Sequence, residues 1–97
     1  MLTHECIVQA VTSIAPRVGA TSVSYFGSYA DGSATNASDL DLLVEFGERG
    51  ISLLTLIDFK QQLEDELGIP VDIVHAPIPK DAIIEIGKVI PIYDVAA

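Results

Sequence analysis

The sequence predicts a single α/β domain of two packed layers, because segments with helical and with strand periodicity alternate along its 97 residues. Apolar residues recur at helical spacing over residues 3–15. They alternate with other residues over 39–46, as in a strand with one buried face. A long amphipathic segment at 52–67 then leads to a short apolar run at 71–75. A helix of that length between two strands is the crossover that a parallel pair requires.

The first two elements are a helix over residues 3–15 and a strand over Ser22–Phe26. Thr3 can cap the helix, and Pro16 is expected to end it. Gly27 bounds the strand, since glycine favours a turn. The apolar face of the helix is formed by Ile7, Ala10, Val11 and Ile14.

The middle of the chain combines a loop with the clearest strand. Residues 29–38 are small and polar, which predicts a loop, although Ser28 could cap a short helix over Tyr29–Gly32. Asp39–Phe46 is the strand, and its side chains alternate between two faces. One face carries Leu40, Leu42, Val44 and Phe46, and the other carries Asp39, Asp41, Leu43 and Glu45.

A turn at 47–50 leads into the crossover helix, which Ser52 caps and which ends near Leu67, with Gly68 just beyond. The stripe predicted to be buried consists of Leu53, Leu56, Ile57, Leu63 and Leu67.

The remaining elements are a strand over Val71–His75, a helix over Lys80–Lys88 and a last strand over Ile90–Tyr93. The last strand is expected at a sheet edge, because Pro91 lacks the N–H that a central strand must donate.

Composition narrows the functional classes. Fourteen acidic and five scattered basic residues give a net charge of −9, and without a basic stripe direct nucleic-acid binding is not expected. Cys6 is the single cysteine, which excludes an internal disulfide and fits a reducing cytoplasm. No basic segment opens the chain, and the longest uncharged stretch, 18–30, is too short to span a bilayer. The expectation is a cytoplasmic protein without a membrane segment.

Asp39 and Asp41 are the first candidate chemical groups. Two positions apart on a strand, their side chains point the same way and their Cα atoms lie roughly 6.5–7 Å apart. This spacing suits two carboxylates that share a pair of divalent ions roughly 3.5–4 Å apart. Asp72, on the strand after the crossover helix, could complete one metal's ligands and take a proton from an attacking hydroxyl. The alternative for each acid is a solvated position on a strand.

Gly27 and Ser28 stand where a strand ends. Glycine lets a phosphate approach the backbone closely, and Ser28 adds a hydroxyl and a backbone N–H. Together with two carboxylates at strand spacing, they form the two halves of a nucleoside-triphosphate site.

The order Gly27-Ser28, ten residues, Asp39-x-Asp41 resembles the signature of the DNA polymerase beta-like nucleotidyltransferases. The likeness is greatest to their smallest members, the minimal nucleotidyltransferase (MNT) domains, and residues 1–97 would then be one such domain. Three separated segments agree in order, namely 25–32, 38–44 and 71–74.

The resemblance implies a small mixed β-sheet with helices packed on it. It also implies that Gly27 and Ser28 hold the triphosphate of ATP, and that Asp39, Asp41 and Asp72 bind two Mg²⁺ ions as the catalytic residues. Many MNT proteins are antitoxins paired with HEPN ribonuclease toxins, and those understood as enzymes resemble AMP transferases that modify a toxin tyrosine. The expectation is an antitoxin that transfers AMP from ATP to a hydroxyl of a HEPN partner. The two proteins could form a hetero-oligomer.

Two other functions stay open at this point. One is a non-catalytic antitoxin that covers its toxin, and the other is a transferase acting on a small molecule. The small chain leaves little room for a separate acceptor pocket, so the acceptor is expected to be a protein that brings its own surface.

One position departs from the family, because many relatives carry a basic residue shortly after the Gly-Ser pair, whereas Asp31 places a negative charge there.

Overall fold

The computed structural model, which describes residues 2–47, 50–76 and 87–95, contains a four-stranded mixed sheet. The predicted α/β class is therefore confirmed. The strands are β1 (Ala20–Phe26), β2 (Leu40–Phe46), β3 (Val71–Ala76) and β4 (Ile90–Asp94), in the spatial order β3-β2-β1-β4. β1 runs antiparallel to both of its neighbours, and β2 and β3 are parallel.

The first helix, α1 (His4–Ile14), begins as predicted at Thr3, whose side-chain oxygen accepts a backbone N–H of the first turn. The chain does not leave helical structure at Pro16, however. It continues through a 3₁₀ turn over Ala15–Val18, because a proline near the start of a helical turn removes no needed hydrogen bond. Gly19 ends that turn with a φ of 77°, and β1 follows directly.

The crossover helix, α3 (Leu53–Leu67), joins the parallel strands as predicted, and it is capped by Ser52 and ended by Gly68. Its predicted buried stripe is wrong in part. Its buried residues are Phe59 and Leu63, the first of which was not in the predicted stripe. At about 100° per residue, Ile57 lies roughly 160° around the helix from Phe59, so the two cannot share one buried face. The bulkier Phe59 is buried, and Ile57 is 54% exposed.

One face of the sheet packs against α1 and α3 and forms the core. This face of β2 is completely buried at Leu40, Leu42 and Val44, which alternate as the sequence predicts. The alternation places Asp41 and Leu43 on the opposite face. The fully buried large side chains are Ile7, Val11, Val23, Leu40, Leu42, Val44, Phe59, Leu63 and Val71.

The last predicted strand is confirmed as β4 at the sheet edge, where Pro91 faces Ser24. Most of the predicted helix Lys80–Lys88 lies outside the described residues, and its last two positions are not helical. The middle of the predicted turn at 47–50 also lies outside them. None of the helices in the described ranges combines the length and apolarity that crossing a bilayer would demand.

Candidate active site

The sheet topology gathers the three predicted segments at one end of the strands. β1 and β2 are antiparallel, so the end of β1 lies beside the start of β2, and Phe26 faces Asp41. β2 and β3 are parallel, so their starts lie together, and Asp41 faces Asp72. The turn that begins at Gly27 therefore lies next to Asp41, with Asp72 on the other side.

Asp41 is at the centre of this arrangement. It is half-buried, whereas Asp39 and Asp72 are exposed. Burial raises the pKa of the Asp41 carboxyl above its usual 3.8, and the charges of Asp72 and then Asp39 raise it further. Both neighbouring carboxylates are thus close enough to act electrostatically on Asp41. A cation near Asp41 would offset the repulsion from these two acids, so the charges here favour a cation.

Asp39 lies one residue before β2, which begins at Leu40 rather than at Asp39 as predicted. The backbone N–H of Leu40 donates to the carbonyl of Pro70 at 3.0 Å, which ties the start of β2 to the segment that leads into β3. Asp39 is therefore at the mouth of the site, while Asp41 is within the sheet.

Gly27 is in direct contact with Asp41, a relation that sequence reasoning missed. A Cβ added at Gly27 would overlap Oδ2 of Asp41. The backbone at Gly27 has a φ of 71° and a ψ of −148°, a region that is essentially limited to glycine. The only sequence sign of this requirement is a glycine placed directly after a strand. Gly27 thus leaves room for the Asp41 carboxylate.

Ser28 is the first residue of a short helix, α2 (Ser28–Asp31), for which Gly27 is the cap. The prediction that Ser28 caps a helix is therefore wrong by one residue, because the unusual backbone at Gly27 already turns the chain. The carbonyl of Gly27 accepts the N–H groups of Ala30 and Asp31 at 3.0 and 3.1 Å. The earlier N–H groups, including that of Ser28, have no acceptor within the helix and can bind an anion. A helix of four residues adds little dipole, so these N–H groups and the Ser28 hydroxyl carry any phosphate binding.

Asp31 keeps its charge. The hydroxyl of Ser33 donates to its carboxylate, the backbone N–H of Ser33 does so at 2.9 Å, and these bonds lower the pKa of Asp31, in that order of effect. The departure noted in the sequence therefore persists as an ionised group one helical turn after Ser28.

The donor set fits Mg²⁺ if phosphate completes it. Within residues 2–47, 50–76 and 87–95, no three His, Cys, Asp or Glu side chains are already grouped as a metal-binding cluster. Mg²⁺ in nucleotide sites is usually bound by one or two carboxylates together with phosphate oxygens and water. Asp41 and its neighbours offer hard oxygen ligands beside a turn that can accept phosphate, which suits an ion that arrives with the nucleotide.

We expect Asp41→Asn to raise the melting temperature of the metal-free protein at neutral pH. Because the pKa of Asp41 in the folded protein lies above 3.8, the unfolded chain releases this proton first as pH rises. The contribution of Asp41 to the free energy of unfolding therefore falls as pH rises through the window just above 3.8. Thermal unfolding in EDTA at neutral and at acidic pH tests this. The difference in melting temperature between the variant and wild type should be smaller at acidic pH. A lower melting temperature for the variant at neutral pH would show that the ionised Asp41 carboxylate does not destabilise the metal-free protein.

A family model for the nucleotidyltransferase domain matches residues 7–92, which include every residue of this site. The chain belongs to the nucleotidyltransferase domain family. The resemblance to minimal nucleotidyltransferases that the sequence shows is thereby confirmed, and so is the small mixed sheet that it implies.

Curated relatives of this nucleotidyltransferase domain include archaeal proteins. The protein adenylyltransferase MntA of Thermococcus cleftensis is 41% identical over 78 residues, which cover 76% of this chain and 78% of the relative. A candidate protein adenylyltransferase of Methanocaldococcus jannaschii is 46% identical over 71 residues, which cover 68% of this chain and 74% of the relative.

Solved structures agree with the fold of the domain. A candidate minimal nucleotidyltransferase, 40% identical, has a TM-score of 0.75 over 90% of both chains. A chain in the complex of a tri-AMPylated Shewanella oneidensis HEPN toxin with an MNT antitoxin has a TM-score of 0.71, covering 97% of this chain and 75% of that one. At 13% identity, the second likeness supports the fold alone.

Proposed function

We propose that this nucleotidyltransferase domain transfers AMP from ATP to a tyrosine hydroxyl of a HEPN-type toxin and thereby acts as its antitoxin. The observation that carries the proposal is the meeting of Asp41 with Asp72 across β2 and β3, beside the glycine turn that leaves room for the Asp41 carboxylate. Two relatives named as protein adenylyltransferases, one of them a candidate, support the reaction. The HEPN-type partner is taken from the resemblance of the sequence to MNT antitoxins, whose fold this domain shares.

The roles proposed for the residues are those that the resemblance implies. Asp39 and Asp41 would hold two Mg²⁺ ions, and Asp72 would hold one of them. The bound ions would neutralise the negative charge of the phosphate oxygens and would stabilise in-line displacement at the α-phosphorus. The Ser28 hydroxyl and N–H, next to Gly27, bind the terminal phosphates.

Asp72 suits the acceptor side of the site, because it is exposed and lies on an edge strand. It accepts the proton of the acceptor hydroxyl. The hydroxyl oxygen then bonds to the α-phosphorus, the bond from that phosphorus to the bridging oxygen breaks, and pyrophosphate leaves.

A nucleoside-triphosphate substrate and the free, exposed Cys6 favour the cytoplasm as the place of action.

The acceptor to test is a HEPN-type protein, which we expect to be encoded in a reading frame beside the gene for this chain. Incubation of that protein with this domain, ATP and Mg²⁺ should add mass in multiples of one AMP, seen by intact-mass spectrometry. EDTA should abolish the added mass and excess Mg²⁺ should restore it, because the carboxylates alone repel the triphosphate. A correctly folded partner that gains no mass, or transfer that persists in EDTA, would contradict the proposal.

A further inference from the structure

Three large aliphatic side chains lie exposed on the first turns of α3. Leu53 is 71% exposed, Leu54 is 81% exposed and Ile57 is 54% exposed. Positions three and four apart are neighbours on a helix surface, so Ile57 adjoins both leucines. Single exposed aliphatic residues are ordinary, whereas three adjoining ones form a continuous apolar patch. We call these three residues the α3 ridge.

The α3 ridge is continuous with the candidate active site. A groove between α3 and the outer edge of the sheet is lined by Leu56, Ile57, Lys60, Asp72 and Ile73. Ile57 belongs to both the ridge and the groove, and Asp72 belongs to both the groove and the carboxylate site. β3 is an edge strand, so no other described strand covers this side of the sheet. A molecule that covers both the ridge and the groove would therefore reach Asp72.

The charges around the α3 ridge and the groove indicate which kind of molecule binds there. The chain carries a net charge of −9, and Asp58, Asp72 and Asp41 are the acids nearest the ridge and groove in sequence or register. Lys60 is the single base that lines the groove. A second copy of this chain would bring the same negative charge against this face, which opposes self-association. A nucleotide would find no donors for its phosphates on leucine and isoleucine side chains.

We propose that the α3 ridge is the docking surface for the acceptor protein, which contributes an apolar segment flanked by Lys or Arg residues. Docking there places the acceptor hydroxyl at Asp72. This inference rests on the proposed function, because it takes the acceptor to be a protein.

The test compares Leu54→Ser combined with Ile57→Ser against Val95→Ser. Val95 is 59% exposed and follows β4, at the opposite edge of the sheet, which makes it a matched control. Binding of the HEPN-type partner is measured without nucleotide, and binding of ATP with Mg²⁺ is measured separately by calorimetry. We expect the double variant to bind the partner about tenfold or more weakly and ATP as well as wild type does. Its AMP transfer should show a raised KM for the partner with kcat retained, and salt should weaken wild-type docking.

The outcomes separate the two proposals. Equal partner affinity for the double variant and wild type overturns the docking surface, whether or not AMP is transferred. A wild-type dimer in sedimentation velocity that the double variant loses also overturns it, in favour of a second copy as occupant. Weakened partner binding by the double variant, with no AMP transfer by wild type, supports the docking surface and contradicts the proposed function.

Discussion

Replacing Asp39 and Asp41 together with asparagine is expected to abolish the proposed AMP transfer and to leave partner binding intact. The reason is that Asn keeps the shape of each side chain and removes the charge that, in the proposed function, holds the divalent ions. Metal-ion stabilisation of a phosphoryl transition state contributes several kcal/mol, so we expect a loss on the order of 10³-fold or more. Radiolabelled or intact-mass assays of AMP transfer measure the loss, and a binding assay without nucleotide measures the docking.

Glu45→Gln is the matched control, because Glu45 is an acid on the same face of β2 and lies opposite Ser22 rather than beside Asp72. It should transfer AMP at the wild-type rate. Transfer by the double variant at the wild-type rate would contradict the assigned site. If the double variant transfers nothing yet neutralises the toxin as well as wild type does, the protein protects by covering its toxin.

Gly27→Ala is expected to reduce AMP transfer by on the order of 10²-fold, the scale of a misplacement of about 1 Å at a catalytic group. The added methyl group overlaps Oδ2 of Asp41, so this carboxylate must move from its place beside Asp72. The positive φ adds strain for any residue with a side chain.

Gly32→Ala is a control for a positive φ without displacement of a side chain, in the milder left-handed region that Gly32 occupies. Gly32 has a φ of 84°, and a Cβ there meets nothing within 4 Å. This variant should lose roughly 1–2 kcal/mol of stability and keep its rate of AMP transfer. The opposite pattern, with Gly27→Ala active and Gly32→Ala inactive, would show that the contact with Asp41 does not matter for catalysis.

Elements with strong local determinants were predicted well from sequence. α1 has a capping threonine and a regular apolar stripe, and β2 has strict alternation of buried residues at Leu40, Leu42 and Val44. The parallel pairing of β2 with β3 followed from the length of the connection. The same pairing brings Asp72 next to the strand that carries Asp41, so the sequence also predicts that these two acids are neighbours.

The rest depends on tertiary packing that no local pattern encodes. The buried face of α3 was misplaced because Leu53 and Ile57 fit a helical stripe as well as Phe59 does. Only the sheet and α1 decide which stripe faces inward. The same misplacement hid the α3 ridge, since two of its three residues, Leu53 and Ile57, were expected in the core. The contact of Gly27 with Asp41 joins two strands across the sheet, so spacing along the chain cannot show it.

Anomalous diffraction from crystals grown with Mn²⁺ and a non-hydrolysable ATP analogue tests the central claim most directly. We predict metal peaks bound by Asp41 and shared with Asp39 or Asp72, with the terminal phosphates of the analogue at Gly27 and Ser28. Bound nucleotide whose metal contacts none of these three carboxylates would contradict the assigned site.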